Sequence, residues 1–216
     1  MIFNDLKKRF ITGILLLLLL YLIFNFKIIL VYSLIIIGVV SVLEFLHISN
    51  MIFKNKTYLV LFNIFFIIYL YSLLVTFFFI SNIFGLKLLI YVLLLTCVAS
   101  DLGGYIFGKI FRGPKLTKIS PNKTYSGAIG SIFFSIFIVS ITSIYFLNFL
   151  NLKLIFVALI TSIFCQSGDL LISFLKRKAK LKDTGNFLPG HGGILDRIDG
   201  IIFGLPIGFI TFILIN

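Results

Sequence analysis

Seven apolar stretches recur along the chain, at about residues 10–26, 28–46, 58–80, 86–100, 126–147, 152–172 and 200–215, parted by short polar connections. A helix needs roughly 20 apolar residues, within about 17–25, to cross the hydrocarbon of a bilayer. The first, fourth and last stretches are short, so they are expected to tilt little, borrow flanking residues or stop inside the protein. Composition agrees with this pattern: 60% of the 216 residues are hydrophobic and 12% are charged, against about 25% charged for an ordinary soluble domain. A soluble globule of this length buries only around 70% of its surface and could not hide that much apolar area. The expected class is an all-α polytopic integral membrane protein with about seven transmembrane helices and two long polar loops. Because apolar stretches continue to the last residue, a secretory peptide in front of a soluble body is not expected. Cys97 and Cys165 both fall in apolar runs, which argues against a disulfide framework or a thiolate zinc site.

Charge sets the expected orientation. With seven spans, one side carries Lys7, Lys8, Arg9, Lys54, Lys56 and the basic residues of loops 101–125 and 173–199. Those are 16 of the 19 lysines and arginines, and only Lys27, Lys87 and Lys153 fall on the other side. The positive-inside bias therefore places the N-terminus and both long loops in the cytoplasm. The formal charge of +12 would suggest nucleic acid in a soluble protein. Here it fits topology and contact with anionic membrane lipids, and no nucleic-acid partner is expected.

The seven acidic residues are Asp5, Glu44, Asp101, Asp169, Asp183, Asp196 and Asp199. Asp5 lies in the N-terminal tail. Glu44 is three residues from His47, which puts the two on one helix face; a mild polar anchor is the plainer reading, a part in catalysis the alternative. The other five all fall at the ends of spans or in the two long loops. Ionisable groups at such depths are costly unless paired, solvated or bound to metal. Any one of them could cap a helix or pair with a nearby lysine. Five beside two glycine-rich loops with many basic side chains make equipment for Mg²⁺ and a polyphosphate. The His₃ or Cys sets of a zinc site are missing.

The first loop holds Gly103, Gly104 and Gly108, which allow close approach of a helix or ligand to the backbone, then Ser120, Lys123, Thr124 and Ser126 ahead of the fifth span. A helix N-terminus there favours phosphate, while Thr124 or Ser126 could simply cap the helix; both can hold at once. The spacing of Gly104, Gly108 and Gly113 is too common to carry weight. The second loop joins Lys176, Arg177, Lys182 and Asp183 to Pro189-Gly190-His191-Gly192-Gly193, then Asp196, Arg197 and Asp199. If the last helix begins by 194–200, Asp196 and Asp199 share a face and reach one ion or adjoining ions. His191, enclosed by glycines, reads as a phosphate contact or a hinge, and not as a general base.

These loops resemble the phosphatidate cytidylyltransferase (CDP-diglyceride synthetase) family. Its signature is met without a gap by Ser173, Lys176, Arg177, Lys182, Asp183, Gly185, Leu188, Pro189, His191, Gly192, Gly193, Asp196, Arg197 and Asp199. Gly168-Asp169 is similar to the family's Gly-Asp at the end of the preceding helix. Asp101, Gly104-Tyr105, Gly108-Lys109, Ser120-Pro121, Lys123-Thr124 and Gly127 are similar to its second motif region. The likeness covers residues 95–215. Position 126 is Ser where many members have Glu, and position 104 is Gly where Ala is usual. The chain is also shorter than most bacterial members, chiefly in its N-terminal half, which puts full activity in question.

The resemblance implies a multi-pass enzyme of the bacterial cytoplasmic (inner) membrane. It would make CDP-diacylglycerol and pyrophosphate from CTP and phosphatidic acid, with Mg²⁺ and a monovalent cation such as K⁺ at the site. The family's metal carboxylates carry over to Asp169 and Asp196, with Asp183 and Asp199 close by. Lys176, Arg177 and Lys182 are expected at lipid phosphate or pyrophosphate, and Arg197 is expected to brace a carboxylate or phosphate. Lys123, Ser120 and Thr124 are expected at the nucleotide, and Asp101 at a second cation or a ribose hydroxyl. A homodimer is expected on the resemblance alone. The expected organisation is an N-terminal transmembrane region, 1–100, and a catalytic region, 101–216. Rival classes fit less well. A transporter or channel would place acids near the midplane, whereas these all map to one membrane face. A CDP-alcohol phosphotransferase would need further acids after Asp199-Gly200, and there are none. A purely structural membrane protein leaves the signature unexplained.

Overall fold

The computed structural model describes residues 18–117, 120, 123–185, 187 and 192–215. Among these, six long helices follow one another: α1 (Lys27–Ile52), α2 (Lys56–Ser81), α3 (Phe84–Phe111), α4 (Tyr125–Leu147), α5 (Leu152–Lys178) and α6 (Leu195–Ile215). They contain 26, 26, 28, 23, 27 and 21 residues, and each is apolar enough to cross a bilayer. At about 1.5 Å per residue even the shortest matches the roughly 30 Å of hydrocarbon. Residues 18–25 are helical as well and lead into α1 through extended Phe26. They are the described part of the first expected span, whose residues 10–17 lie outside the described set. The protein is a polytopic helical membrane protein.

The helices outrun the apolar stretches that announced them. The fourth stretch was expected to end at 100, yet α3 continues through Asp101, Gly103, Gly104 and Gly108 to Phe111, and stops where Arg112 turns left-handed at φ 44°. Likewise α5 runs past 172 to Lys178, and α6 starts at Leu195, well before 200. The first polar loop thus shrinks to 112–124 and the second to 179–194. Polar and glycine residues lower hydropathy without breaking backbone hydrogen bonding, so helices leave the hydrocarbon and keep going. In the same way α1 extends to Ile52, which puts Glu44 and His47 inside it and not at its end.

Contacts divide the described chain into two compact units. One comprises the residues up to Phe79 together with Lys178–Arg197; the other comprises Ile80–Arg177 and the residues from Ile198 on. In the first unit, Phe45 of α1 stacks on Phe66 of α2 with ring centroids 3.6 Å apart, and on Phe62 at 5.1 Å.

In the second unit, helices meet through small residues. A Cβ at Gly103 would lie 2.7 Å from Phe134 Cβ and collide with the Gly130 carbonyl, and one at Gly130 would collide with the Phe107 side chain. Between α5 and α6, a Cβ at Gly168 would come within 2.5 Å of the Asp199 carbonyl. Buried hydroxyls fill the same seams: Ser100 and Ser162 share a hydrogen bond of 2.9 Å, and Ser135 Oγ donates to the Thr96 carbonyl at 3.2 Å. Lipid tails are as apolar as leucine, so close van der Waals fit and buried hydrogen bonds, not apolar burial, hold such helices together. Large apolar side chains such as Phe65, Ile68 and Leu214 stay exposed, as suits a surface wetted by acyl chains.

Candidate active site

The second unit gathers three of the singled-out carboxylates. Its first element is the hairpin in which residues 113–117 pair with 123–126 between α3 and α4. Leu116 N–H donates to the Lys123 carbonyl at 2.7 Å, and Tyr125 N–H to the Pro114 carbonyl at 3.0 Å. Thr124 is the N-cap of α4, its Oγ1 accepting from Gly127 N–H at 3.1 Å. Ser126 Oγ accepts from Gly113 N–H at 3.3 Å and shares a hydrogen bond of 2.9 Å with Thr124 Oγ1. The helix-capping reading of Thr124 therefore holds, and Ser126, which stands where many members of the resembled family have Glu, is engaged in the hairpin.

This frame fixes Lys123, whose ammonium pairs with Asp169 Oδ2 near the end of α5. Ser173, one turn further, donates to Asp169 Oδ1 at 3.3 Å. Asp199 is buried, 7% exposed, and its Oδ1 accepts from Gly200 N–H at 2.9 Å. It lies within electrostatic reach of Asp169, Asp101 and Lys176. Asp101 accepts from the Cys165 thiol at 3.7 Å. Cys165 and Cys97 are both buried and unlinked. Three carboxylates and two lysines thus meet in one unit, drawn from α3, the hairpin, α5 and α6.

The first unit holds Lys182, Asp183, Asp196 and Arg197. Asp196, in the first turn of α6, accepts through Oδ2 from Thr184 N–H at 2.8 Å and from Gly193 N–H at 3.4 Å. Gly192 sits at φ +78°, a left-handed conformation in which a Cβ would be strained, and would lie 3.1 Å from Asp196 Oδ2 and 3.4 Å from Asp183 Cβ. Lys182, Asp183 and Arg197 are exposed. Back in the second unit, Arg177 at the end of α5 is exposed too, and Ser120 N–H donates to Thr117 Oγ1 at 3.3 Å while its carbonyl accepts from Lys123 N–H at 3.0 Å. His191 lies outside the described residues.

One residue gains a place that sequence reasoning did not assign. Glu44 is buried at 7% exposure while His47 is exposed, so the expected pairing on one face of α1 gives way to a different partnership. Its Oε2 accepts from Thr184 Oγ1 and Leu195 N–H, both at 2.8 Å, and its Oε1 from Ile194 N–H at 3.0 Å. The signal was present: a carboxylate in an apolar span needs partners. Its partners lie 140 to 151 residues away, beyond the reach of any local pattern.

The donor chemistry suits a hard divalent cation. Mg²⁺ takes oxygen ligands and typically uses one or two carboxylates, with waters and substrate phosphates completing its shell. Among the described residues no three His, Cys, Asp or Glu side chains converge on a single point.

Comparison with known proteins gives a consistent result. The sequence model of the Cytidylyltransferase family matches residues 3–215. A phosphatidate cytidylyltransferase of Staphylococcus aureus (strain COL) is 46% identical over 126 residues, covering 57% of this chain and 48% of that protein. The phosphatidate cytidylyltransferase of Staphylococcus haemolyticus (strain JCSC1435) is 47% identical over 126 residues, with the same coverage. That of Staphylococcus epidermidis (strain ATCC 12228 / FDA PCI 1200) is 41% identical over 125 residues. The chain spans about half the length of these curated relatives. With nearly every residue matched by the family model and the 173–199 signature intact, the chain belongs to the cytidylyltransferase family.

Proposed function

We propose that this chain carries the catalytic groups of a phosphatidate cytidylyltransferase, which joins CTP and phosphatidic acid into CDP-diacylglycerol and pyrophosphate in phospholipid biosynthesis. The observation that carries the reading is the unbroken 173–199 signature in a chain that the family model matches from residue 3 to 215. An oxygen of the lipid's phosphate monoester attacks the α-phosphorus of CTP, and pyrophosphate leaves in line. That nucleophile is already anionic, so positioning and charge neutralisation supply most of the rate.

Bound Mg²⁺ would neutralise triphosphate charge and polarise the phosphoryl group under attack. Asp169 and Asp196 are the residues proposed to hold it, each within its own unit, with Asp199 and Asp183 supporting them. Lys123 is already drawn to Asp169, so its ammonium stands ready for a nucleotide phosphate beside that carboxylate; Ser120 and Thr124 belong to the same hairpin and would line the approach. Lys176, Arg177 and Lys182 would bind lipid phosphate or departing pyrophosphate, and Arg197 would brace a phosphate or carboxylate. Asp101 would take a second cation or a ribose hydroxyl, and a monovalent cation such as K⁺ is proposed at the site. The region 101–216 is the proposed catalytic part. The proposed location is the bacterial cytoplasmic membrane, with the N-terminus and both loops facing the cytoplasm and basic side chains facing anionic lipids; a homodimer is the proposed assembly.

The test is release of labelled pyrophosphate from CTP in detergent–lipid micelles containing phosphatidic acid, with and without Mg²⁺. Release that depends on both, matched one-for-one by CDP-diacylglycerol, is the expected result. Folded protein that neither turns over nor binds CTP would overturn the reading.

A further inference from the structure

We infer that Glu44, in the N-terminal membrane helix α1, is a positioning residue for the carboxylates of the signature loop; the inference rests on the transferase reading above and extends it. Glu44 does more than anchor a helix end. Its two carboxylate oxygens take three donors from one short stretch of backbone and side chain: Thr184 Oγ1, Ile194 N–H and Leu195 N–H. The last two are among the orphan N–H groups at the start of α6, where no intrahelical acceptor exists. Glu44 therefore caps α6 from a distant helix, and a charged acceptor makes each of these bonds stronger than a neutral one.

Thr184 links this cap to the candidate ligands. Its hydroxyl reaches Glu44 while its N–H reaches Asp196 Oδ2 at 2.8 Å. Asp183 precedes it directly, and Gly193 N–H, on the other side of the loop, also donates to Asp196 at 3.4 Å. Two small positions of the signature follow from the same contact. A Cβ at Gly185 would lie 2.6 Å from Glu44 Oε1, and one at Gly193 would overlap both Thr184 Oγ1 and Glu44 Oε2. The signature's glycines thus make room for a carboxylate supplied some 140 residues earlier in the chain. Without it, two buried N–H groups and a hydroxyl lose their acceptor, and the loop that aims Asp183 and Asp196 loses its fixed point.

The test uses the full chain in lipid micelles, comparing wild type with Glu44→Gln, Glu44→Ala and Thr184→Ala. Two readouts are taken: the Mg²⁺ concentration for half-maximal CDP-diacylglycerol synthesis, and the rate of tryptic cleavage after Lys182 in metal-free buffer. Outer partners of metal ligands typically change metal affinity or activity about 10–100-fold. Glu44→Ala should raise the Mg²⁺ requirement about tenfold and speed cleavage severalfold, with Glu44→Gln intermediate and the KM for phosphatidic acid unchanged. Thr184→Ala removes one hydroxyl only and keeps the question open to test should Glu44→Ala not fold. An unaltered Mg²⁺ requirement in Glu44→Gln and Thr184→Ala would overturn the inference, even if thermal stability fell, because Glu44 would then be merely structural. Wild type inactive with CTP, but cleaved faster once Glu44 is replaced, would overturn the transferase reading and still support Glu44 as the anchor of the loop.

Discussion

Asp196 and Asp169 carry the same side chain and hold different partners. Asp196 leans on backbone: Thr184 and Gly193 N–H groups converge on its Oδ2. Asp169 leans on a charge and a hydroxyl, Lys123 and Ser173. The first arrangement ties a carboxylate into the fold of its loop, so its removal disturbs structure and chemistry together. The second leaves a carboxylate on a regular helix, α5, whose backbone does not depend on it. A lysine partner is also exchangeable: another cation can replace it beside Asp169, and a phosphate can replace Asp169 beside the lysine. Of the two, Asp169 is the one whose surroundings look arranged for ligand exchange.

Four substitutions would break or sharpen that contrast. The largest effect is expected from Asp169→Asn. CDP-diacylglycerol synthesis should fall on the order of 10²–10³-fold, the usual scale for removing one electrostatic group at a phosphoryl centre, while the melting temperature in detergent stays at the wild-type value. Asp196→Asn should lose comparable activity but also destabilise the protein by about 1 kcal/mol, because a neutral amide oxygen accepts the two N–H bonds more weakly than a carboxylate does. Equal thermal stability of the two variants would erase the distinction. Next comes Gly130→Val, outside both carboxylate sets. Overpacking at the α3–α4 contact should cost about 1–3 kcal/mol, read as a lower melting temperature with the Mg²⁺ requirement unchanged. The smallest effect is expected from Thr124→Ala, roughly 1 kcal/mol for a lost N-cap. It should be accompanied by a small drop in activity, since the hairpin presenting Lys123 is built on that cap; activity retained in full would detach the hairpin from the site.

Much of this is legible in the sequence. The helical membrane class followed from the apolar stretches, and the α4 boundaries expected at 126–147 differ from Tyr125–Leu147 by one residue. The early start of the last helix, on which the reading of Asp196 and Asp199 was conditional, is seen in α6, which begins at Leu195. The Gly104–Gly108–Gly113 spacing was set aside as too common, yet a Cβ at Gly108 would lie 3.2 Å from Thr124 Oγ1 and one at Gly113 the same distance from Ser126 Oγ. Spacing alone cannot say which glycines face a partner. Helix ends were misjudged at 100, 172 and 200, since hydropathy marks where lipid ends and not where hydrogen bonding stops. Ser100, Ser135 and Ser162 passed unremarked in apolar spans, and their buried bonds appear only once the helices are set side by side.

By itself, the sequence determined what depends on residue type and near neighbours: that the chain enters a membrane as helices, which residues bear charge, and that the 173–199 motif is whole. The tertiary structure alone decided which groups share an environment. It gave Lys123 to Asp169 and took Ser126 into the hairpin. It also turned Glu44 from a residue near a helix end into the cap of α6. The physical reason is range. Helix formation and membrane insertion are settled over a few turns of chain, whereas a carboxylate's partners are settled by whatever packing brings within about 3 Å, at any distance along the sequence.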